Sequence, residues 1–277
     1  MKRRFFPGEE WLFFKIYVGI READNILVTK LWPYVRKLLR QNTIDSWFFI
    51  RYSDPDYHLR LRLHLKDVSK IGNVIIGINH ALKSSLSNHV VTSIVIDTYV
   101  RELERYGNEH IIDCEQFFYI DSQLICTCLS ALKDAAEDDK WKVALLLADR
   151  LLSDLFPDIA SRIEFVENLA TSYSIEFGYK SAKATEINAL YRTYRMTIEN
   201  IICNTPVHLK LIDKSCDKLH SLSKNYARHD STLSSLLHMR MNRLFTVNQR
   251  RYELIIYSFL LRFYKGLHAK KQTSNML

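Results

Sequence analysis

WFFIRYSDPDYHLRLRL, residues 47–63, decides the fold. It holds an apolar and aromatic run, a turn signal at Asp54-Pro55-Asp56, and then a strict alternation of basic and leucine residues. A strand sends successive side chains to opposite faces, so His58, Arg60, Arg62 and His64 share one side while Leu59, Leu61, Leu63 and Leu65 share the other. The two runs read as a hairpin with its leucines toward a core. The basic side is open to two readings. It is either a place where anions are held, with Arg51 on the neighbouring strand, or a solvated outer face of an antiparallel sheet, which alternates in the same way.

Working outward, WLFFKIYVG (11–19) is aromatic and β-branched and reads as a strand ending at a glycine. A helical pattern follows from Glu22 to Arg40 through Leu27, Leu31, Val35, Leu38 and Leu39, with Pro33 placed to kink or divide it. Residues 67–85 return to a helical period through Val68, Ile71, Ile75, Ile78 and Leu82, and VVTSIVIDTYV (90–100) supplies a further strand. The order strand, helix, strand, strand, helix, strand predicts a ferredoxin-like mixed or antiparallel sheet with helices on one face, over residues 1–107. Residues 108–268 read as amphipathic helices, with breaks near Asp134–Asp139, Pro157, Gly178, Asn204–Pro206 and Arg228–Ser231. The expected class is therefore α+β: a sheet portion with a mostly helical portion packed on it, one domain over 1–277, and a flexible tail at 269–277.

The chain has 277 residues, 47% of them apolar, enough to bury a large core and to exclude disorder. No uninterrupted apolar run reaches the roughly eighteen residues of a membrane span, and the start MKRRFFPGEEWLFFKIYVG lacks a cleavage site of small residues. A soluble, cytoplasmic protein is expected. Cys114, Cys126, Cys128, Cys203 and Cys216 are odd in number and form no CxxC pair, which argues against a disulfide framework and against zinc. Buried thiols are expected. Lys and Arg number 39 against 31 Asp and Glu, a net charge of +8 that favours acidic or phosphate-bearing partners. With seven glycines and no glycine-rich phosphate loop, nucleotide-binding enzymes of the P-loop and dinucleotide types are disfavoured.

Three clusters can carry chemistry. The first is the basic strand face. The second is YVRELERYGNEH (99–110), where Glu102 and Arg105 are three apart on one side of a helical turn; a surface ion pair has the same spacing. The third is LLHMRMNRL, where His238 precedes Asn242 by about one helical turn, with Arg243 next. A lone histidine in an apolar helix is most often a satisfied interior residue.

Taken in order, WFFIRYSDPDYHLRLRL, VRELERYG, CEQFFYIDS (114–122) and SSLLHMRMNRL resemble the C-terminal, glutamate-elimination domain of lantibiotic dehydratases, also found as a free-standing thiopeptide-type bacteriocin biosynthesis protein. The resemblance runs from Trp11 to about Tyr264. The family's glutamylation domain has no counterpart in these motifs, so the elimination half of a split enzyme is expected. The family's functional positions fall on Arg60 and Arg62 of the HxRxR strand, on Glu102 and Arg105 of ExxR, and on His238 of HxxxNR. Arg51, His58, Asn242 and Arg243 are the accompanying substrate-binding candidates. One departure is Asn108, where the family often has a second glycine after Gly107; a changed turn is expected.

The resemblance implies that a separate tRNA-dependent enzyme glutamylates Ser or Thr of a precursor peptide, and that this protein removes the glutamate to leave dehydroalanine or dehydrobutyrine. It implies no metal or organic cofactor. A cyclase and a second copy of the chain are further candidate partners; direct nucleic-acid binding is not expected, since no RRM, KH or zinc-finger pattern is present. Elimination must take the α-proton, stabilise negative charge on the peptide carbonyl and release a carboxylate. Arginine suits the last two tasks because its planar fork holds carboxylates and keeps its charge, and histidine suits proton transfer near neutrality. On this reading Arg60 and Arg62 engage the glutamyl group, Arg105 stabilises the enolate with Glu102 orienting it, and His238 is the general acid or base. Two other readings stay open: a pyridine-synthase-like cycloaddition enzyme, and a non-catalytic protein that binds an acidic leader peptide.

Overall fold

The computed structural model describes residues 1–132, 139–178, 181–206 and 230–274. The chain divides into two compact units, Met1–Asp134 with Asn242–Val247, and Ala135–Met241 with Asn248–Leu277. The class is α+β, as expected, with an antiparallel sheet near the N-terminus and helices beyond it.

In the first unit, β1 (Arg4–Phe5) is followed by β2 (Trp11–Val18), β3 (Ile44–Tyr52), β4 (His58–Leu65), β5 (Val91–Asp97) and β6 (Tyr99–Val100). The main sheet is antiparallel in the order β3-β4-β2-β5, the ferredoxin-like arrangement in which the first strand of the split unit lies between the third and the fourth. The 90–100 segment is two strands, not one. After Asp97, whose carboxylate accepts from the Thr98 backbone N–H, β6 leaves the main sheet and pairs with β1.

The register places Leu63 opposite Leu12 and Trp47, and Leu61 opposite Phe14 and Phe49, so the leucine side of β4 is continuous with apolar sides of both neighbours. The helices α1 (Ala23–Ile26), α2 (Trp32–Arg40) and α3 (Ile71–Ser87) supply the buried Ile26, Val35, Leu38, Val74, Ile78 and Leu82. Trp32 stacks on Trp47 at 5.2 Å. Pro33 divides the first helical stretch as its sequence allows: a wide turn at Leu27–Leu31 precedes it, which relieves the clash between the proline ring and the preceding turn. In α3 the inward stripe runs through Val74 instead of Ile75, and Val68 is exposed. The short α4 (Leu103–Tyr106) ends at Gly107, which adopts φ 77°, open to glycine without strain. α5 (Ile111–Ala131) packs on β3, so the sheet unit continues past residue 107.

The second unit comprises α6 (Lys140–Leu155), α7 (Ile159–Glu176), α8 (Ser181–Glu199), most of α9 (Asp230–Leu244) and α10 (Gln249–Ser274). α10 packs chiefly against α7 and also against α8 and α6, burying Leu254, Tyr257, Leu260 and Tyr264. Asp158 caps α7 by accepting from the Ser161 N–H at 2.7 Å, just after the break at Pro157. Gly178 lies in the turn that follows α7. Most of the expected breaks at 134–139 and 228–231 fall outside the described residues, as do Cys216 and residues 275–277. α10 continues to Ser274, so residues 269–274 are helical where a tail was expected; AKKQTS has no glycine or proline to stop it. Cys114, Cys126 and Cys128 are buried, but Cys203 is exposed, contrary to expectation, on a terminal turn at Asn200–Asn204. Among the described residues no helix is long and apolar enough to cross a membrane.

Candidate active site

The basic face of β4 is built by strand register. Arg62 lies directly opposite Phe13 and Phe48, and its guanidinium carbon is 4.5 Å from the Phe13 ring centre, 5.1 Å from that of Phe48 and 4.9 Å from that of Tyr99. The residue is only 7% exposed. Its Nε and Nη1 are shielded from solvent and have no hydrogen-bond partner among the described residues. Burial pushes its pKa down to about 10; Tyr99 and Glu102 pull it up, while Arg60 and Arg243 push it further down. Arg62 is thus a cation at neutral pH, held at a cost on the order of 3 kcal/mol by that shift. Stacking on aromatic faces returns roughly 2 kcal/mol per ring at a desolvated site, of the same order as that cost, but ring faces leave the Nε and Nη1 hydrogens without an acceptor. A solvated outer face is excluded at this residue.

Arg60 is next on the same face, half-buried. Its Nε donates to His58 Nε2 at 3.1 Å and its guanidinium stacks 3.5 Å from the Tyr52 ring centre. His58 is fully buried, and with Nε2 accepting from Arg60 its Nδ1–H donates to the Asp56 carbonyl at 2.8 Å. Both ring nitrogens are therefore engaged, and burial pushes the imidazole pKa down, which favours this neutral tautomer. His58 supports Arg60. The far end of the face, His64 with Asp45 at 2.6 Å, is partly exposed.

Arg51 does not join this face. The β3–β4 register pairs it with Leu59, so it points to the leucine side. There it is 4% exposed and fully engaged: Nη2 donates to Asp24 at 2.5 Å, Nη1 to the Tyr57 hydroxyl at 3.0 Å, and Nε to the Arg243 carbonyl at 2.9 Å.

Asn242 and Arg243 meet the free edge of β3. The Asn242 amide accepts from the Arg51 N–H at 2.9 Å and donates to the Arg51 carbonyl at 3.0 Å, as a neighbouring strand would. Arg243 Nε donates to the Phe49 carbonyl at 2.9 Å, and Ser122 Oγ accepts from the Phe49 N–H at 3.3 Å. Arg243 also pairs with Asp121 at 2.9 Å, both side chains being inaccessible to solvent. These side chains close an edge that would otherwise present unpaired backbone groups.

Glu102 precedes α4 and Arg105 lies within it, at 3.6 Å from Nη1 to Oε2, Glu102 being exposed and Arg105 half-buried. Glu102, Arg105 and Arg243 all act electrostatically on Tyr106, whose pKa is pushed up to about 12, chiefly by burial. With Glu102, Arg60 and Arg243 also acting on Arg62, and Arg60 on His58, these candidates of the first unit share one electrostatic neighbourhood.

His238 belongs to the second unit. Its Nδ1 lies 3.0 and 3.2 Å from the two carboxylate oxygens of Glu253, which is wholly buried. Glu253 also accepts from the Tyr173 hydroxyl and from Gln249 Nε2, the latter at 2.6 Å. Burial beside this carboxylate pushes the Tyr173 hydroxyl well above its ordinary pKa, so it stays a donor. The His238 side chain is 22% exposed.

Sequence reasoning missed Glu253, Tyr173, Asp121, Asp24 and the Phe13, Phe48 and Tyr99 rings around Arg62. A charged residue in the apolar surroundings of α5 marks Asp121, and register from the hairpin marks Phe48, whereas Phe13 comes from the separate β2–β4 pairing. Nothing local marks Glu253. Among the described residues no cluster of His, Cys, Asp and Glu is placed to hold a metal ion.

The family model for the lantibiotic biosynthesis dehydratase C-terminal region matches residues 11–264. The nisin biosynthesis protein NisB of Lactococcus lactis subsp. lactis is 27% identical over 275 residues, which cover 93% of this chain and 26% of NisB. The epidermin biosynthesis protein EpiB of Staphylococcus epidermidis is 25% identical, over 91% of this chain and 26% of EpiB. The chain thus spans about a quarter of the length of these curated relatives. The crystal structure of the tRNA dependent lantibiotic dehydratase MibB from Microbispora sp. 107891 superposes with a TM-score of 0.73 at 18% identity, over 95% of this chain and 29% of that one. The pyridine synthase TbtD from thiomuracin biosynthesis superposes with a TM-score of 0.64 at 12% identity, over 94% of this chain and 100% of that one. These two likenesses show a shared fold.

Proposed function

Because the chain belongs to the lantibiotic dehydratase C-terminal family, we propose that it eliminates glutamate from glutamylated Ser and Thr side chains of a precursor peptide, leaving dehydroalanine or dehydrobutyrine. The observation that carries this reading is Arg62: a buried cation with two N–H-bearing nitrogens lacking a partner among the described residues, in an aromatic cage. A carboxylate arriving there forms a charge-assisted pair whose desolvation cost on the arginine side the fold has already met.

In the proposed step a base takes the α-proton, the electron pair forms the Cα=Cβ bond, and the Cβ–O bond breaks. Glutamate leaves as a free carboxylate. Arg60 and Arg62 hold the glutamyl group; Arg105, with Glu102 orienting it, stabilises the charge that develops on the peptide carbonyl oxygen; His238 takes or returns the proton. Arg51, His58, Asn242 and Arg243 act behind these groups, because each makes side-chain hydrogen bonds to other groups of the fold. A tRNA-dependent glutamylating activity supplies the ester.

The test is mass spectrometry of a peptide bearing a glutamyl-Ser ester, incubated with the parent and with Arg62→Met and Arg105→Ala. Release of glutamic acid and a dehydroalanine product by the parent, strongly reduced in the variants, supports the reading. An ester returned intact sinks it. Cyclisation of a supplied dehydroalanine peptide would then favour cycloaddition, and binding without turnover a leader-peptide role.

A further inference from the structure

His238 and Glu253 sit on different helices, α9 and α10, and the carboxylate is wholly buried. A buried carboxylate is costly unless its lone pairs are met by donors. Tyr173, Gln249 and His238 supply them, with Arg250 Nη1 at 4.0 Å. This arrangement has a chemical consequence at the ring. An ionised carboxylate only accepts, so at 3.0 and 3.2 Å the Nδ1 of His238 must carry the proton. The opposite tautomer would set a lone pair against two carboxylate oxygens.

The other neighbours of Nδ1 do not change this. Gln249 Nε2 lies 3.2 Å away, but its two hydrogens are directed to Glu253 Oε1 at 2.6 Å and to the His238 carbonyl at 3.1 Å. Arg250 Nη1, 3.3 Å away, donates to the Tyr173 hydroxyl at 2.8 Å, and the guanidinium is anchored by Glu176. With Nδ1 committed, Nε2 is the nitrogen left to exchange a proton, and no described residue hydrogen-bonds it.

We propose that Glu253 is the positioning residue for His238: its buried carboxylate locks the Nδ1–H tautomer, aims Nε2 outward as the proton-transferring atom, and stabilises the imidazolium formed when that atom takes a proton. This rests on the elimination reading above. It extends it to a residue outside the four sequence motifs, held in turn by Tyr173 and Gln249. The same logic governs any histidine whose ring is oriented by a carboxylate behind it.

The experiment uses the whole protein with ¹⁵N-labelled histidine, His238 being assigned by a His238→Asn variant, together with glutamate release from a glutamyl-Ser peptide. The parent is expected to show the Nδ1–H tautomer signature at His238. Glu253→Gln, which keeps the shape and removes the charge, is expected to lose that signature and to lower kcat about 10- to 100-fold with KM within about 2-fold, the range of a general acid–base contribution partly lost. If Glu253→Gln does not fold, Tyr173→Phe removes one donor from the carboxylate and is expected to lower kcat about 3- to 10-fold, a modest part of the same contribution. An Nε2–H tautomer in the parent, or a folded variant at the parental kcat, overturns the positioning role alone. A parent that releases no glutamate overturns the elimination reading and this role with it.

Discussion

Arg51 and Arg62 lie on adjacent strands, are almost equally buried at 4% and 7% exposure, and carry the same charge, yet they sit on opposite faces of the sheet with opposite surroundings. Arg51 has a carboxylate, a hydroxyl and a carbonyl on its nitrogens, and Asp24 and Tyr57 raise its pKa above the usual value despite burial. Arg62 has rings around it and two nitrogens without partners among the described residues, and its pKa falls to about 10. The first is a cation the fold uses for itself. The second is a buried cation with two nitrogens that no described acceptor meets, and such a group points to something outside the fold that meets it. Arg243, at 0% exposure, has the Phe49 carbonyl on Nε and the Asp121 carboxylate on Nη1 inside a family motif, so motif membership does not by itself separate a cation paired within the fold from one that is not.

The largest expected effect comes from breaking the paired type. Arg243→Met leaves Asp121 buried without that charge and should cost about 3–5 kcal/mol in urea denaturation, with Arg51→Met nearer about 3 kcal/mol because Asp24 is partly solvated. Unchanged midpoints would erase the distinction. Arg62→Met should do the reverse: stability equal or higher by about 1–2 kcal/mol, while glutamate elimination falls at least about 100-fold. A destabilised Arg62→Met would mean that the cage uses its cation structurally.

A smaller effect tests the ligand directly. Free glutamate at about ten times its Kd should raise the Tm of the parent by about 2 °C and leave Arg62→Met unmoved, as read by differential scanning fluorimetry. Smaller still is a pH effect at His58. Its folded pKa lies below the ordinary 6.5, so the unfolded chain binds the proton first; the stabilisation is complete above about 6.5 and is lost as pH falls through the folded value. Denaturation midpoints at pH 8 and pH 5 should differ more in the parent than in His58→Asn, and equal differences would remove His58 from the support of Arg60.

Much of the fold was legible. The alternation at 58–65, the turn at Asp54-Pro55-Asp56 and the order of strands and helices pointed to a ferredoxin-like mixed or antiparallel sheet, and the structure has it antiparallel in the order β3-β4-β2-β5. The face of Arg51 was not legible, because five residues separate β3 from β4 and a register change of one residue would turn every side chain over. The role of Asn242 was equally hidden. Its spacing from His238 placed both on one helix, but only the folded chain shows its amide laid along the edge of β3.

What the sequence determined by itself is what backbone stereochemistry makes local: the period of each segment, the alternation of side chains within each strand, and the four ordered motifs that carry the family resemblance. Tertiary structure alone decided which charges are answered. Arg51 meets Asp24 across 27 residues and the Arg243 carbonyl across 192, and His238 meets Glu253 across 15 with a helix break between them. Pairing depends on distance in space and on the dielectric around it, and neither quantity is written in the spacing of residues along the chain.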